Sequence, residues 1–143
     1  PLDGSPLADQ ALAYAAAIAG PDDEIRLLYV APTPEPPQTM RGVDMPMTEQ
    51  DVARYQRVSE QVTANSAALW RDILGDVIAE TAYGDPADRI LQVAGDIAAD
   101  LIVMTTDGPD GFLDGLRGTT SVRVLNKARC PVANLPVGAR LAT

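Results

Sequence analysis

The sequence contains no histidine among its 143 residues. That absence removes Ser-His-Asp and Cys-His nucleophilic catalysis, histidine proton shuttling and any histidine-ligated metal. Cys130 is the only cysteine, so no intrachain disulfide can form, which fits a reducing compartment. Lys127 is the only lysine and does not follow a glycine-rich loop, so a Walker-type phosphate loop is absent. Basic charge is scarce altogether. Eleven Lys and Arg stand against 20 Asp and Glu, a formal charge of −9, which argues against nucleic acid and anionic membranes as partners. No apolar run approaches the roughly 20 residues of a membrane span. The first residues are neither basic nor strongly apolar, so no secretory leader is expected in them. A cytoplasmic protein is the expectation.

What is present is an alternation of short apolar runs and amphipathic stretches, in one domain's length of chain (1–143). Leu2-Asp3 looks like the end of a first strand. Ser5-Pro6 then reads as helix N-cap and first helical position, with an apolar stripe at Leu7, Ala8, Ala11, Leu12, Ala15 and Ile18 that Gly20-Pro21 ends. Ile25 to Val30 is a second strand. Ala31 to Met47 carries five prolines and predicts an extended connection. Thr48 to Asp51 resembles a capping box opening the longest helix, to about Leu74. Its apolar face is predicted at Val52, Tyr55, Val58, Val62, Leu69 and Ile73, with Gly75 as the stop. Val77 to Tyr83 is a third strand. Gly84-Asp85-Pro86 starts a third helix with Asp85 as N-cap, and Ile90, Leu91, Ala94 and Ile97 facing inward.

The stretch around which the rest is arranged is Leu101 to Ser121. Leu101 to Met104 reads as a buried fourth strand. A loop with Gly108, Gly111, Gly115 and Gly118 follows, and a helical pattern resumes from about Thr119 to Ala128, with Lys127 and Arg129 near its negative end. Cys130-Pro131 opens a last strand, Val132 to Val137. Taken alone, the loop is either a surface excursion with turn glycines or an anion-binding device. In the second case unpartnered N–H groups at the helix start and the helix dipole face a ligand that glycines allow to come close.

Context favours the second. The order β-α-β-α-β-α-β-α-β predicts a five-stranded, mostly parallel sheet with helices on both faces, a Rossmann-like α/β architecture. In such sheets ligands lie beyond the strand carboxyl ends, where the strand order reverses. The first and fourth strands, ending at Asp3-Gly4-Ser5 and at Thr105 to Gly108, are expected to flank that point. Among other residues singled out, Asp3 fits a turn or helix cap as well as a ligand contact. Arg123 reads as solvated, Trp70 as packing, and Cys130 as a small residue at a strand start.

Four features together resemble a universal stress protein domain over essentially the whole chain. They are LDGS before an alanine-rich helix, a strand ending LLYV before a long loop and helix, Gly84-Asp85-Pro86 before a helix leading to ADLIVM, and the closing RVLNKARCPV. The ATP-binding branch of that family is marked by glycine, two residues, glycine, nine residues, then glycine with serine or threonine. Aligned on Met104, this chain offers Thr105, Gly108 and Gly118-Thr119, so the second and third glycines match and Thr105 replaces the first. The resemblance implies an adenine nucleotide, ATP foremost, with phosphates at the loop amides and Thr119-Thr120. Leu2, Asp3, the backbone of Val30, Met104 and Thr105 would lie near the nucleoside. Asp107, Asp110 and Asp114 oppose a triphosphate unless a divalent ion such as magnesium intervenes. AMP or cyclic AMP is the less charged alternative.

The resemblance further implies a homodimer through the last strand, Val132 to Val137, in a small stress-response regulator with unknown protein partners. The alternative is a nucleotide-free interaction module, which Thr105 and the acidic loop favour. Catalysis is not expected, beyond at most weak ATP hydrolysis, because no residue looks like a positioned base.

Overall fold

In the computed structural model, residues 1–2, 8–34, 47–75, 77–106 and 120–136 are described. Four helices alternate with four strands: α1 (Ala8–Ile18), β1 (Ile25–Ala31), α2 (Glu49–Leu74), β2 (Val77–Tyr83), α3 (Pro86–Asp96), β3 (Ile102–Thr106), α4 (Thr120–Lys127) and β4 (Val132–Pro136). The expected cap of the first helix, Ser5-Pro6, lies outside the described residues. So do Gly108, Gly111, Gly115, Gly118 and most of the proline-bearing connection.

Local chemistry fixes the element ends. Thr48 and Asp51 form a reciprocal capping box. The Asp51 N–H donates to Thr48 Oγ1 at 3.2 Å, and the Thr48 N–H donates to Asp51 Oδ2 at 3.0 Å. Two of the four unpaired donors of a helix start are thereby satisfied. At the other end Gly75, at φ 73°, turns the chain while its N–H donates to the Arg71 carbonyl. The Gly84-Asp85-Pro86 turn works as its sequence predicts. Gly84 sits at φ +123°, which a Cβ would strain. The Asp85 carboxylate accepts from the Asp88 N–H at 3.0 Å, and Pro86 takes the first turn.

The strands pair as two parallel ribbons, β1 with β2 from Ile25↔Val77 to Ala31↔Tyr83, and β3 with β4 from Ile102↔Val132 to Thr106↔Pro136. Side-chain alternation along β1 separates two cores. Leu27 packs with Leu2, Leu12 of α1 and Ala67 of α2. Leu28 and Val30 pack with Ala87 and Ile90 of α3, Ile102 and Met104 of β3, and Val124 of α4. Helices therefore cover both faces, α1 and α2 on one and α3 and α4 on the other.

Three expectations are adjusted. Of the expected five-stranded sheet, the described residues form two parallel two-stranded sheets. Among the described residues Leu2 stands in the first-strand position, in a parallel bridge to Tyr29 with its N–H donating to the Leu28 carbonyl at 2.6 Å. The fourth strand begins at Ile102, with Leu101 exposed ahead of it, and extends through Thr105 and Thr106.

The third correction concerns α2. Val58, Leu69 and Ile73 are exposed, Leu69 at 78%. The buried seam is Ser59, Thr63 and Ala67, four residues apart on one face, whose small size lets the helix lie close on the ribbon. Their hydroxyls are satisfied. Ser59 Oγ donates to the Tyr55 carbonyl, Thr63 Oγ1 to the Ser59 carbonyl, and the Thr63 and Thr81 hydroxyls pair at 2.6 Å. Trp70 packs partly buried beside this core, as expected.

Candidate functional site at the strand carboxyl ends

Both ribbons are parallel, so Ala31, Tyr83, Thr106 and Pro136 mark the carboxyl ends, and the described site residues gather there. Val30 and Met104 are 7% and 5% exposed and share one core cluster with Val124. Membership of that cluster places residues of β1, β3 and α4 around one core. Because the Val30 and Met104 side chains point into the core, only their backbones are available to a ligand. Thr105 is half-buried opposite Leu135. Thr120 opens α4, half-buried, beside buried Ser121. Leu2 is buried against Tyr29, one residue before Val30. Asp3, Gly108, Gly118 and Thr119 lie outside the described residues.

Sequence reasoning missed the polar scaffold behind these ends. Arg123 is partly exposed to solvent, as expected, and is also paired across to the neighbouring helix. Its Nη1 donates to Asp85 Oδ2 at 2.7 Å and its Nη2 to Asp88 Oδ1 at 2.8 Å. The Arg123 hydrogen bond, followed by the Asp88 N–H, holds the Asp85 carboxyl below its ordinary value. The same pairing raises the Arg123 guanidinium. Carboxylates at a helix start and a cation on the neighbouring helix are both visible in the sequence, but separations of 38 and 35 residues hide their pairing.

On the β1–β2 side, the Tyr55 hydroxyl donates to the Pro32 carbonyl at 2.8 Å, pinning the chain as it leaves β1. Tyr83 packs its ring at 6.2 Å from that of Tyr55, and burial is the main cause that raises its phenol above the usual value. Arg89 closes the turn by donating from Nε to the Tyr83 carbonyl at 2.8 Å. The spacing of Tyr55 points only to an apolar face, and its hydroxyl bond to Pro32 adds a polar role. Among the described residues no cluster of three metal-ligating side chains occurs, and no helix is long and apolar enough to cross a membrane.

This architecture is an α/β fold of parallel β-α-β units with its candidate site at the carboxyl ends. The profile of the universal stress protein family matches residues 1–136, and the chain belongs to that family. Among solved structures it is similar to a hypothetical protein whose biochemical function was assigned from its structure (20% identity, TM-score 0.69, covering 100% of this chain and 94% of that one). A universal stress protein in complex with cAMP is 17% identical, with TM-score 0.64 and coverage of 96% and 93%. The universal stress protein of Archaeoglobus fulgidus in complex with dAMP is 18% identical, with TM-score 0.57 and coverage of 94% and 91%. No curated protein sequence matches the chain.

Proposed function

We propose that this chain, acting as one domain, binds an adenine nucleotide at the carboxyl ends of β1 and β3, with ATP the foremost candidate. The observation that carries the reading is that α4 packs on β3 and β4 and shares the core of Val30, Met104 and Val124. A helix start beside the carboxyl ends of parallel strands is the arrangement in which helix amides and dipole meet an anion. Gly118 and Thr119 immediately precede α4 in sequence. Relatives with the same fold carry cAMP and dAMP, which supports an adenine ligand.

In this reading the loop amides of Gly108 and Gly118 and the hydroxyls of Thr119 and Thr120 hold phosphate, while Leu2, Asp3, Val30, Met104 and Thr105 border the nucleoside. Magnesium accompanies a triphosphate, because Asp107, Asp110 and Asp114 would otherwise repel it. The protein regulates rather than catalyses. It works in the cytoplasm, as a homodimer paired along Val132 to Val137, where β4, among the described residues, pairs with β3 on one side only.

Titration calorimetry with ATP, AMP and cyclic AMP, each with and without magnesium, tests the assignment. One saturable site per chain is expected, lost in Gly118→Trp with the dimer intact. Unchanged affinity in that variant moves the site elsewhere. A second reading, an interaction module without nucleotide, is favoured by Thr105, whose Cβ stands where the family pattern has glycine. Absence of heat with all three nucleotides selects it.

A further inference from the structure

The apolar row that hydrophobicity assigns to the core side of α2 stays on the surface. Val58, Leu69 and Ile73 are each more than half exposed, and Val62 between them is half-buried. At 3.6 residues per turn the four lie within about 60° of one another around the helix. The other exposed positions of α2 are polar or alanine, so the row stands out as a patch of the kind that marks a contact. The roll of the helix aims it past the outer edge of β2. Next to the row, the Tyr55 and Tyr83 rings lie 6.2 Å apart and the Thr63 and Thr81 hydroxyls pair at 2.6 Å, both against β2. Ala67, further round, meets Leu12 of α1 and Leu27 of β1. The row therefore faces away from α1, and among the described residues it stays uncovered.

Its spacing is palindromic. From Val58 the intervals are four, seven and four residues, so a two-fold axis crossing α2 between Asn65 and Ser66 exchanges Val58 with Ile73 and Val62 with Leu69. The polar groups agree with that axis. Asn65 and Ser66, at the crossing, are short enough for two helices to come close. Arg54, exposed beside the row near its amino end, would stand at the carboxyl end of a facing antiparallel helix, where exposed Asp72 and the last carbonyls are negative. Gln61, bonded to Asn65 at 2.9 Å, gives the row a polar rim. The strand edge beneath offers no better contact. Thr63 is level with Thr81, so the same axis passes near Glu80 and would set two carboxylates opposite each other on paired strands.

We propose that α2 docks antiparallel on α2 of a second copy of this chain, Val58 against the partner's Ile73 and Val62 against the partner's Leu69. The contact is separate from the β4 edge and from the nucleotide site, so it supplies a two-fold of its own. A single helix face is a small interface, and self-association in roughly the micromolar range is expected. Leu69 thus serves association and not the fold of the single chain.

Cysteine cross-linking of the full chain tests the register. In a Cys130→Ser background, Val58→Cys and Ile73→Cys chains are oxidised separately and as a mixture. Like positions in the two copies stand about 22 Å apart along the helices, whereas Val58 is level with the partner's Ile73. Only the mixture is expected to give a disulfide-linked dimer. No cross-link in the mixture, or equal cross-linking in the separate samples, overturns the proposal. Sedimentation across the micromolar range then compares the parent with Leu69→Asp, a change at a position exposed in the single chain. About thirtyfold weaker self-association is expected. An unchanged association constant overturns the proposal and leaves the row to another segment of the chain or to a different protein.

Discussion

Arg123 of α4 grips the N-terminal cap of α3, bonding Asp85 at 2.7 Å and Asp88 at 2.8 Å. The Asp85 carboxylate thus serves two masters, its own helix start and the neighbouring helix. Replacing Arg123 with alanine is expected to lower the melting midpoint. The pH dependence is more diagnostic. Asp85 is held below its ordinary 3.8, so its contribution is fully present above that value and is lost as the pH falls through the lower, folded value. The Arg123→Ala protein should show a smaller loss of midpoint over that acid range, and an unchanged acid limb would remove the pairing from the stability account.

Val124 is fully buried at the meeting of β1, β3 and α3. Val124→Ala removes two buried methyl groups, costing about 2 kcal/mol in urea unfolding. Because the same contact sets α4 against the strand ends, nucleotide affinity should fall in parallel. A stability loss with unaltered affinity would separate the core from the site.

The packed face of α2 can be tested by contrast. Ala67 is 4% exposed and Leu69 is 78% exposed. Ala67→Leu should cost roughly 1–3 kcal/mol by overpacking, while Leu69→Ser should stay within about 0.5 kcal/mol of the parent. Denaturant titration of both decides between the seam at Ser59, Thr63 and Ala67 and the stripe expected from hydrophobicity.

Ala98 sits at φ 50° in the turn between α3 and β3, a left-handed conformation that costs a residue with a Cβ about 1 kcal/mol. Ala98→Gly is therefore expected to stabilise the protein despite the added freedom of the unfolded chain. A lowered midpoint would show that the Cβ makes a contact outweighing the strain.

The elements with chemical punctuation were legible in the sequence. The capping box at Thr48 and Asp51, the stop at Gly75 and the Gly84-Asp85-Pro86 turn each depend on neighbours within four residues, and each stands as expected. The alternation of strands and helices was legible for the same reason. The face of α2 was not, because hydrophobicity ranks Leu69 above Thr63, whereas close approach to a ribbon rewards small residues and Thr81 supplies the missing hydroxyl partner. Of sheet continuity, the described residues show the one bridge from Leu2 to Tyr29 beside β1. Of the candidate site, Leu2, Val30, Met104, Thr105 and Thr120 come to the carboxyl ends, but Arg123, Tyr55 and Tyr83 escaped because their partners are remote in the chain.

The division into two ribbons bears on how the molecule is made. Each ribbon is a consecutive β-α-β unit, residues 25–83 and then 102–136. During synthesis the first unit emerges ahead of the second, and the β1–β2 pairing uses residues of that unit alone. Ala87 and Ile90 of α3, packed against Leu28 and Val30 on one side and Ile102 and Met104 on the other, emerge between the two. The helix that shares a core with strands of both ribbons thus emerges between them in chain order.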